Sequence, residues 1–320
     1  MALKMIPADE AIYTENLIIL VYGDPGVGKT SLACTAKNPI LLDFDNGSHR
    51  SAFRKMTARV ECWDDVGEIK AFVSGYDTLI IDTVGTAMDF LIRSLPDKEG
   101  KSAANKRADG TLTVAGYGTL KNRFEAWAKT LRAMKKDIIF VAHAKEKGSG
   151  DEKIIRPDIV GGSYDIIVRQ CDFAGYHYSM GKEAKRGVLD FSPTDEHIGK
   201  NSANFPKITV PDFMDEPDFF AVKIAEMKAA INSLSEAQKS AVALLQSIES
   251  GASEAETPER FNEIWAIAKE KIGENKSLRL QVWAKITAKL PEGIIINKEK
   301  GCFDFAPNKE KADENLGNMA

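Results

Sequence analysis

Short apolar runs alternate with amphipathic segments along the first half of the chain. Residues 17–22 (LIILVY) form a continuous apolar run, which is typical of a strand buried on both faces of a parallel sheet. Similar runs follow at residues 40–43 (ILLD), 78–82 (TLIID) and 137–142 (DIIFVA), and helical spacing lies between them, notably over residues 120–134. Strands that alternate with helices indicate βαβ units, so the pattern predicts an α/β fold with a mostly parallel central sheet flanked by helices.

The pattern changes after residue 171. Residues 171–211 mix short apolar stretches with turn signals, which favours antiparallel strands, and prolines then interrupt the chain at Pro206, Pro211 and Pro217. We therefore expect the main domain to occupy residues 1–220.

The last third of the chain carries three amphipathic helical segments. Residues 235–238 (SEAQ) have the form of a capping box with Ser235 as the N-cap, and Thr257-Pro258 is typical of a second helix start. These segments predict a small helical C-terminal module and a polar, disordered tail, at residues 221–305 and 306–320 respectively.

A phosphate-binding motif follows the first predicted strand directly. Residues 23–30 (GDPGVGKT) match GxxxxGK[ST], with a buried strand before them and a helix predicted after them to about Lys37. The glycines let successive N–H groups point at phosphates, Lys29 reaches the β- and γ-phosphates, and the Thr30 hydroxyl is a ligand for Mg²⁺. The motif predicts ATP and Mg²⁺ as cofactors, with the nucleotide held by Gly23, Asp24, Pro25, Gly26, Val27, Gly28, Lys29, Thr30 and Ser31.

Polar residues at the ends of the other predicted strands can complete such a site. Asp82 ends the run TLIID, where a second carboxylate can hold the magnesium water shell. The alternative is an ordinary aspartate at the end of a strand. His143 follows the run DIIFVA, where a polar residue can sense the γ-phosphate; the alternative is a histidine that caps the strand. Asp43 and Asp45 follow the second strand, and a period of two places both on the same side.

Composition places the chain among ordinary globular proteins, with 43% hydrophobic and 28% charged residues. No apolar run approaches the roughly 20 residues that span a bilayer, and no basic-then-apolar signal peptide is present. The four cysteines include no CxxC pair, which supports neither a zinc cluster nor a disulfide framework. We expect a soluble, cytoplasmic protein without a membrane partner.

The net charge of −4 argues against a generally basic nucleic-acid coat, but the charge is uneven. Residues 93–161 contain 15 Lys and Arg against 9 Asp and Glu, a net of +6, which leaves −10 for the rest. A local basic segment on an acidic protein can hold a polyanion, and the alternative is a solvated loop surface.

These motifs together resemble the phage-type, RecA-like nucleotide-binding ATPases, including the Sak-type single-strand annealing proteins. The resemblance covers about residues 15–215 and rests on residues 21–32, 39–47, 76–83, 140–145 and 156–172 (RPDIVGGSYDIIVRQCD). It implies a RecA-like P-loop NTPase core that acts on single-stranded DNA during phage recombination in the host cytoplasm.

The resemblance also implies roles for individual residues. In RecA-like ATPases the catalytic carboxylate follows the second strand, so Asp45 is the expected catalytic residue, with Asp43 as the alternative or a structural cap. Asp is shorter than the usual Glu, which favours slow hydrolysis. The resemblance further implies a homo-oligomer, a ring or filament, in which one subunit completes the next one's ATP site. Lys200 matches a trans-acting cation, whereas Ser202 stands where its companion Arg is expected.

Single-stranded DNA would be held by two basic, glycine-containing loops that leave the same end of the sheet. Tyr117 either stacks on a base or makes a core contact. No groove-reading motif stands out, so we expect binding that is independent of sequence. The candidate DNA-binding residues are Lys98, Lys101, Lys106, Arg107, Lys145, Lys147, Lys153 and Arg156.

The favoured function is a DNA-stimulated ATPase that anneals or pairs strands. The alternatives are a helicase or helicase loader on the same core, a binding module switched by ATP with negligible turnover, and a metabolic kinase. The C-terminal module is either a packing or oligomerisation appendage or a contact to DNA or to a single-strand-binding protein.

Overall fold

The computed structural model describes residues 10–51, 53–98, 104–148, 153–160, 163–181, 187–297 and 300–306. The chain divides into two compact units. The larger is Tyr13–Asn232, and the described part of the smaller comprises residues 10–12, 233–297 and 300–306.

A single sheet of ten strands organises the described part of the larger unit. The strands are β1 (Ile18–Gly23), β2 (Pro39–Asp43), β3 (Met56–Arg59), β4 (Thr78–Asp82), β5 (Asp137–Lys147), β6 (Ile154–Pro157), β7 (Phe173–Ser179), β8 (Gly187–Asp190), β9 (Lys200–Asn201) and β10 (Ile208–Val210). Their order is β10-β8-β7-β1-β5-β4-β2-β3, with β6 paired to β5 and β9 paired to β7. The helices are α1 (Lys29–Ala33), α2 (Asp65–Phe72), α3 (Val84–Ser94), α4 (Val114–Ala133), α5 (Ser163–Gln170) and α6 (Phe219–Ser253).

The centre of the sheet is parallel. β1 lies between β5 and β7, with Ile18 opposite Ile138 and Ile19 opposite Phe173. β4 pairs with β5 and with β2, and β2 pairs with β3, all in parallel. The predicted mostly parallel sheet flanked by helices is therefore confirmed. The antiparallel pairing predicted for residues 171–211 is also present, because β8 joins β7 and β10 in antiparallel fashion.

Helices cover both faces of the sheet, which explains why the strand sequences are continuously apolar. Alternate residues of β1 enter two separate cores. Ile18, Leu20 and Tyr22 pack with side chains of α3, α4 and α5, whereas Ile19 and Val21 pack with side chains of α1 and α6.

Three details differ from the sequence predictions. α1 ends at Ala33 rather than near Lys37. β5 continues to Lys147, beyond its apolar run, because its polar half pairs with β6 in a hairpin in which Lys145 lies opposite Arg156. The predicted helix start at Ser235 is wrong: α6 runs through this position without a break, and the Ser235 hydroxyl accepts a hydrogen bond from the backbone N–H of Ile12 at 2.9 Å.

The smaller unit contains more than helices. α7 (Pro258–Ile272) begins as predicted, with Thr257 as N-cap and proline in the first turn, and α8 (Lys276–Thr287) follows it. A hairpin of β11 (Ile294–Asn297) and β12 (Cys302–Phe305) was not predicted, and its Phe303 packs in the core of this unit against α7 and α8. Apart from residue 306, the predicted disordered tail lies outside the described residues.

Within the described parts of the chain, no helix is long and apolar enough to cross a membrane.

Candidate functional site

The phosphate-binding loop lies at the carboxyl end of β1, and close packing fixes its backbone. Gly26 and Gly28 have φ angles of 84° and 92°, which glycine adopts without strain. A side chain at Gly23 would place its Cβ 2.1 Å from the carbonyl oxygen of His177, so only glycine fits there. The loop therefore has the backbone that the sequence motif predicts.

Lys29 is a buried cation that forms no ion pair with a carboxylate among the residues that the structure describes. Its side chain is nearly inaccessible, and its Nζ donates to the carbonyl oxygen of Asp24 at 2.8 Å. Burial lowers the pKa of Lys29, while the charges of Asp82, Asp24 and Asp45 act in the opposite direction. A buried ammonium held by one carbonyl can readily take a phosphate oxygen as an additional partner.

Thr30 and Asp82 form the candidate magnesium site. The Thr30 hydroxyl donates to Oδ2 of Asp82 at 2.7 Å, and both residues line the same cavity as Lys29. Burial, together with the nearby charges of Asp45 and Asp43, raises the pKa of Asp82 to about 6, although the hydrogen bond from Thr30 and the charge of Lys29 lower it. A buried carboxylate crowded by other carboxylates favours a divalent cation, and this pair of oxygen donors suits Mg²⁺.

The two candidate catalytic aspartates have different surroundings. Asp43 is buried, and its carboxylate accepts hydrogen bonds from the backbone N–H groups of Gly47 and Ser48 at 3.0 and 2.9 Å, which fixes the loop after β2. Asp45 instead faces the cavity. Its carboxylate accepts a hydrogen bond from the Thr83 hydroxyl at 3.2 Å and lies 3.8 Å from Nε2 of His143.

The hydrogen bonds around Asp45 determine how it ionises. Burial raises the pKa of Asp45, but polar interactions with His143, Thr86 and Thr83 outweigh burial, so its pKa is lowered overall. Asp45 is therefore an ionised carboxylate at neutral pH, able to accept a proton but only a weak base.

One cavity of about 490 Å³ collects these groups. A volume of this size is in the range of small-molecule sites. Its lining residues are Pro25, Gly26, Gly28, Lys29, Thr30, Ser31, Asp45, Gly47, Arg50, Ser51, Asp82, Thr83 and His143. The structure thus brings together the phosphate loop, the candidate metal ligands, Asp45 and His143.

Sequence reasoning missed residues on two loops that reach the nucleotide site. Arg50 and Ser51 line the cavity, and the Ser51 hydroxyl lies 2.9 Å from that of Ser31. Phe213 approaches the loop from the chain after β10, with a ring carbon 3.8 Å from the place of a Cβ at Gly28. No local motif marks these residues, because tertiary packing alone brings them to the site.

Lys200 lies elsewhere in the subunit. It pairs with Ala174 near the start of β7, and its Nζ donates to the carbonyl oxygens of Val168 and Arg169 at 3.1 and 2.9 Å. These carbonyls end α5, so within its own chain Lys200 caps a helix. Its role in a neighbouring subunit's ATP site stays a prediction.

The candidate DNA-binding cations lie in two regions, and most of those described have partners within the chain. Lys101 is outside the described residues. Lys98 lies in the first loop, where it pairs with Ala104 in an isolated bridge. Lys106 contacts the carbonyl oxygen of Arg93 and Oδ1 of Asp97, and Arg107 donates to the Thr111 hydroxyl.

The second region is the hairpin of β5 and β6. Lys145 pairs with Asp158 at 3.3 Å and Lys153 with Glu146 at 3.0 Å. Arg156 stacks over the ring of Tyr164. Lys147 is exposed and makes no ion pair with the described carboxylates.

Comparisons with known proteins agree with this geometry. Residues 15–203 match the AAA_24 family, described as an AAA domain. The SPbeta prophage-derived uncharacterized protein YorG of Bacillus subtilis strain 168 is 24% identical over 222 residues, which are 63% of this chain and 64% of YorG. The chain thus spans less than two thirds of that relative.

Solved structures give weaker likenesses. The flagellar accessory protein FlaH of Methanocaldococcus jannaschii is 12% identical, with a TM-score of 0.34 over 62% of this chain and 85% of FlaH. A KaiC-like protein of Pyrococcus horikoshii OT3 is also 12% identical, with a TM-score of 0.32 over 55% of this chain and 78% of that protein. The family match spans more than half of the chain, and the protein belongs to the AAA_24 family of AAA-type P-loop ATPase domains.

Proposed function

We propose that this protein binds Mg²⁺·ATP, hydrolyses it slowly, and uses the nucleotide to control its hold on single-stranded DNA in phage recombination, where it promotes strand annealing or pairing. The observation that carries the ATPase part is the shared cavity, in which Lys29, the pair of Thr30 and Asp82, and Asp45 surround one space.

Each group has a distinct task in this reaction. The loop and Lys29 bind the phosphates, while Thr30 and Asp82 would hold Mg²⁺, which would supply positive charge to the transferred phosphoryl group. Asp45 accepts a proton from a water molecule whose oxygen attacks the γ-phosphorus. The bond from that phosphorus to the bridging oxygen of the β-phosphate breaks, and ADP leaves with the electron pair.

The contacts of His143 connect this chemistry to the hairpin. Its ring lies beside Asp45, and its carbonyl oxygen accepts a hydrogen bond from the N–H of Asp158 at 2.8 Å. Asp158 in turn pairs with Lys145 on the hairpin. A change at the γ-phosphate can therefore reach the basic end of β5 through directly contacting residues.

The DNA part of the proposal rests on the basic segment and on the prophage origin of the relative YorG. We extend it to the partners expected from the sequence: a homo-oligomeric ring or filament, and a contact of the C-terminal module with a single-strand-binding protein.

The low pKa of Asp45 favours a second candidate function, an ATP-switched binding module with negligible turnover. A weak base would leave ATP bound for long periods, so that binding rather than hydrolysis is the functional event.

Asp45→Asn separates these two functions. We expect it to lower kcat about 100-fold, since the amide cannot accept the proton, while ATP affinity stays within about twofold. Steady-state ATPase rates and titrations with a slowly hydrolysed ATP analogue measure the two effects. Asp64→Asn, at an exposed carboxylate outside the cavity, is the control. An unchanged kcat in Asp45→Asn would show that Asp45 is not the catalytic base. A wild-type protein that binds ATP without turnover would favour the ATP-switched binding module.

The DNA part is tested by fluorescence anisotropy of labelled oligo-dT with Mg²⁺·ATP and then with Mg²⁺·ADP, at two salt concentrations. We expect tighter binding with ATP, and weaker binding at higher salt because cations on the protein displace counterions. Lys145→Gln with Lys147→Gln should reduce the difference between the two nucleotides. Equal affinity with ATP and ADP would contradict nucleotide control, and no binding in either state would contradict the DNA part altogether.

A further inference from the structure

The outward side of α4 carries charged and aromatic residues at helical spacing. Val114 and Tyr117 are 87% and 49% exposed on the first turn. Four residues follow Tyr117 along α4 at intervals of three or four. Together with Tyr117 they are here called the α4 stripe: Tyr117, Lys121, Glu125, Lys129 and Arg132. The opposite side of α4 is buried through Leu120, Phe124 and Leu131, so the stripe lies on the solvent side.

The α4 stripe and its surroundings are strongly basic. Residues 121–136 contain six Lys and Arg but only one acidic residue, Glu125, in a chain whose net charge is −4. Lys129 pairs with Glu125 at 2.9 Å. The pKa of Glu125 is lowered first by Lys129 and further by Arg169 of α5 and by Lys121. Cations of two helices therefore surround a single carboxylate, which leaves positive charge in excess.

Both this surface and the two basic loops contain paired and unpaired cations. In the loops, Lys106, Lys145 and Lys153 each have a carboxylate within 4.0 Å. On α4, Lys129 pairs with Glu125, and Arg132 lies 3.9 Å from Asp172 and donates to the Gln170 carbonyl. Lys121 and Lys135 are exposed and form no ion pair with a carboxylate in the described residues. Composition alone placed the basic charge in residues 93–161, and the structure shows that part of it forms one row along α4.

The combination of an aromatic side chain with a row of cations suits single-stranded nucleic acid. An unpaired base can stack on the exposed ring of Tyr117, which the bases of a duplex cannot do without unstacking. At 1.5 Å per residue the stripe is roughly 22 Å long, enough for several nucleotides. Cations at regular spacing track a phosphate backbone without reading its sequence.

We propose that the α4 stripe is the main contact surface for the single-stranded nucleic acid, with Lys121, Lys129 and Arg132 on phosphates and Tyr117 under a base. This inference rests on the DNA-binding part of the proposed function and assigns it a surface other than the two loops.

Lys121→Gln with Lys129→Gln tests the phosphate contacts. Glutamine keeps helix propensity, so α4 should persist. We expect oligo-dT binding to weaken about tenfold and the slope of log K against log salt to fall by about 1.4, or 0.7 for each lost contact. Lys271→Gln with Lys276→Gln removes the same charge from exposed positions of the smaller unit. This control should leave the oligo-dT affinity and the salt slope unchanged. Lys121→Arg with Lys129→Arg should bind as the wild type does.

Tyr117→Ala tests the stacking contact. We expect about tenfold weaker binding with an unchanged salt slope, because an aromatic ring neutralises no phosphate. ATP affinity, measured on the same samples, should equal that of the wild type in every α4 variant, which also shows that the variants are folded.

The outcomes separate the two proposals. If the wild type binds oligo-dT and the α4 variants match it while the Lys145 and Lys147 variant loses binding, the hairpin is the contact and this inference is overturned, but the proposed function stands. If the wild type binds no oligo-dT in any nucleotide state, both fall. If the α4 and control variants weaken binding equally, net charge rather than the stripe governs binding, and the inference is again overturned.

Discussion

Lys29→Ala is expected to abolish measurable ATP binding while leaving the protein folded. The substitution removes the buried cation of the cavity but leaves Asp43, Asp45 and Asp82, so the site becomes one that repels phosphates. Charge-assisted hydrogen bonds contribute about 1.5–3 kcal/mol each, and loss of two from Lys29 would weaken binding by at least about 100-fold.

Stability should change little in the same variant, because burial already lowers the pKa of Lys29 and the ammonium has one close partner, the Asp24 carbonyl. Calorimetric titration with Mg²⁺·ATP measures the affinity, and a thermal melt measures the stability. Lys37→Ala is a matched control, since this lysine is 74% exposed and pairs with Asp77 outside the cavity. Retained affinity in Lys29→Ala would show that the loop does not bind the phosphates.

The strands and strand-end residues of the candidate site could be predicted well, because short stretches of sequence determine them. The apolar run before Gly23 forms β1, and the run before Asp82 forms β4, because a strand buried on both faces needs no long-range information to be recognised. Parallel strands bring their carboxyl ends to one edge of the sheet. Asp45, Asp82 and His143 therefore meet at one cavity although they are far apart in sequence.

The parts that depend on packing between distant segments could not be predicted. Phe213 reaches the phosphate loop only because β10 lies at the far edge of the sheet and the chain then returns. The capping signal at Ser235 is local, and the continuous α6 overrides it. Likewise, charge counting located the basic segment, but which cations have partners depends on contacts such as that of Lys145 with Asp158.

Asp82→Asn is expected to stabilise the protein without nucleotide and to destroy its Mg²⁺-dependent activity. The Asp82 carboxyl is nearly inaccessible, and its pKa of about 6 in the folded chain exceeds the roughly 3.9 of an unfolded one. Its ionised form is thus disfavoured by folding. The amide oxygen of asparagine can still accept the hydrogen bond from Thr30, so the local contact is kept while the charge is removed.

The sign of the pH dependence follows from this raised pKa. Below about pH 4 the carboxyl is protonated in both states and costs nothing. Between about pH 4 and 6 the unfolded chain loses the proton while the folded chain keeps it, so stability falls, and above about pH 6 both states are ionised and the full cost of the buried charge remains. The free energy of unfolding of the wild type should fall by about 3 kcal/mol across this range relative to Asp82→Asn, whose curve lacks the step. Denaturant titrations at pH 4 and pH 7.5 measure the difference.

Asp137→Asn provides a control of opposite sign. This carboxylate is also buried, but it accepts hydrogen bonds from the N–H of Leu17 and from Lys228 at 2.8 and 2.7 Å, so its loss should destabilise the fold. Mg²⁺·ATP should raise the melting temperature of the wild type and leave that of Asp82→Asn unchanged. A less stable Asp82→Asn, or one that still hydrolyses Mg²⁺·ATP, would show that Asp82 is a structural strand end. A gain in stability together with a loss of hydrolysis is the result expected of a metal ligand, because burial disfavours the same negative charge that Mg²⁺ needs.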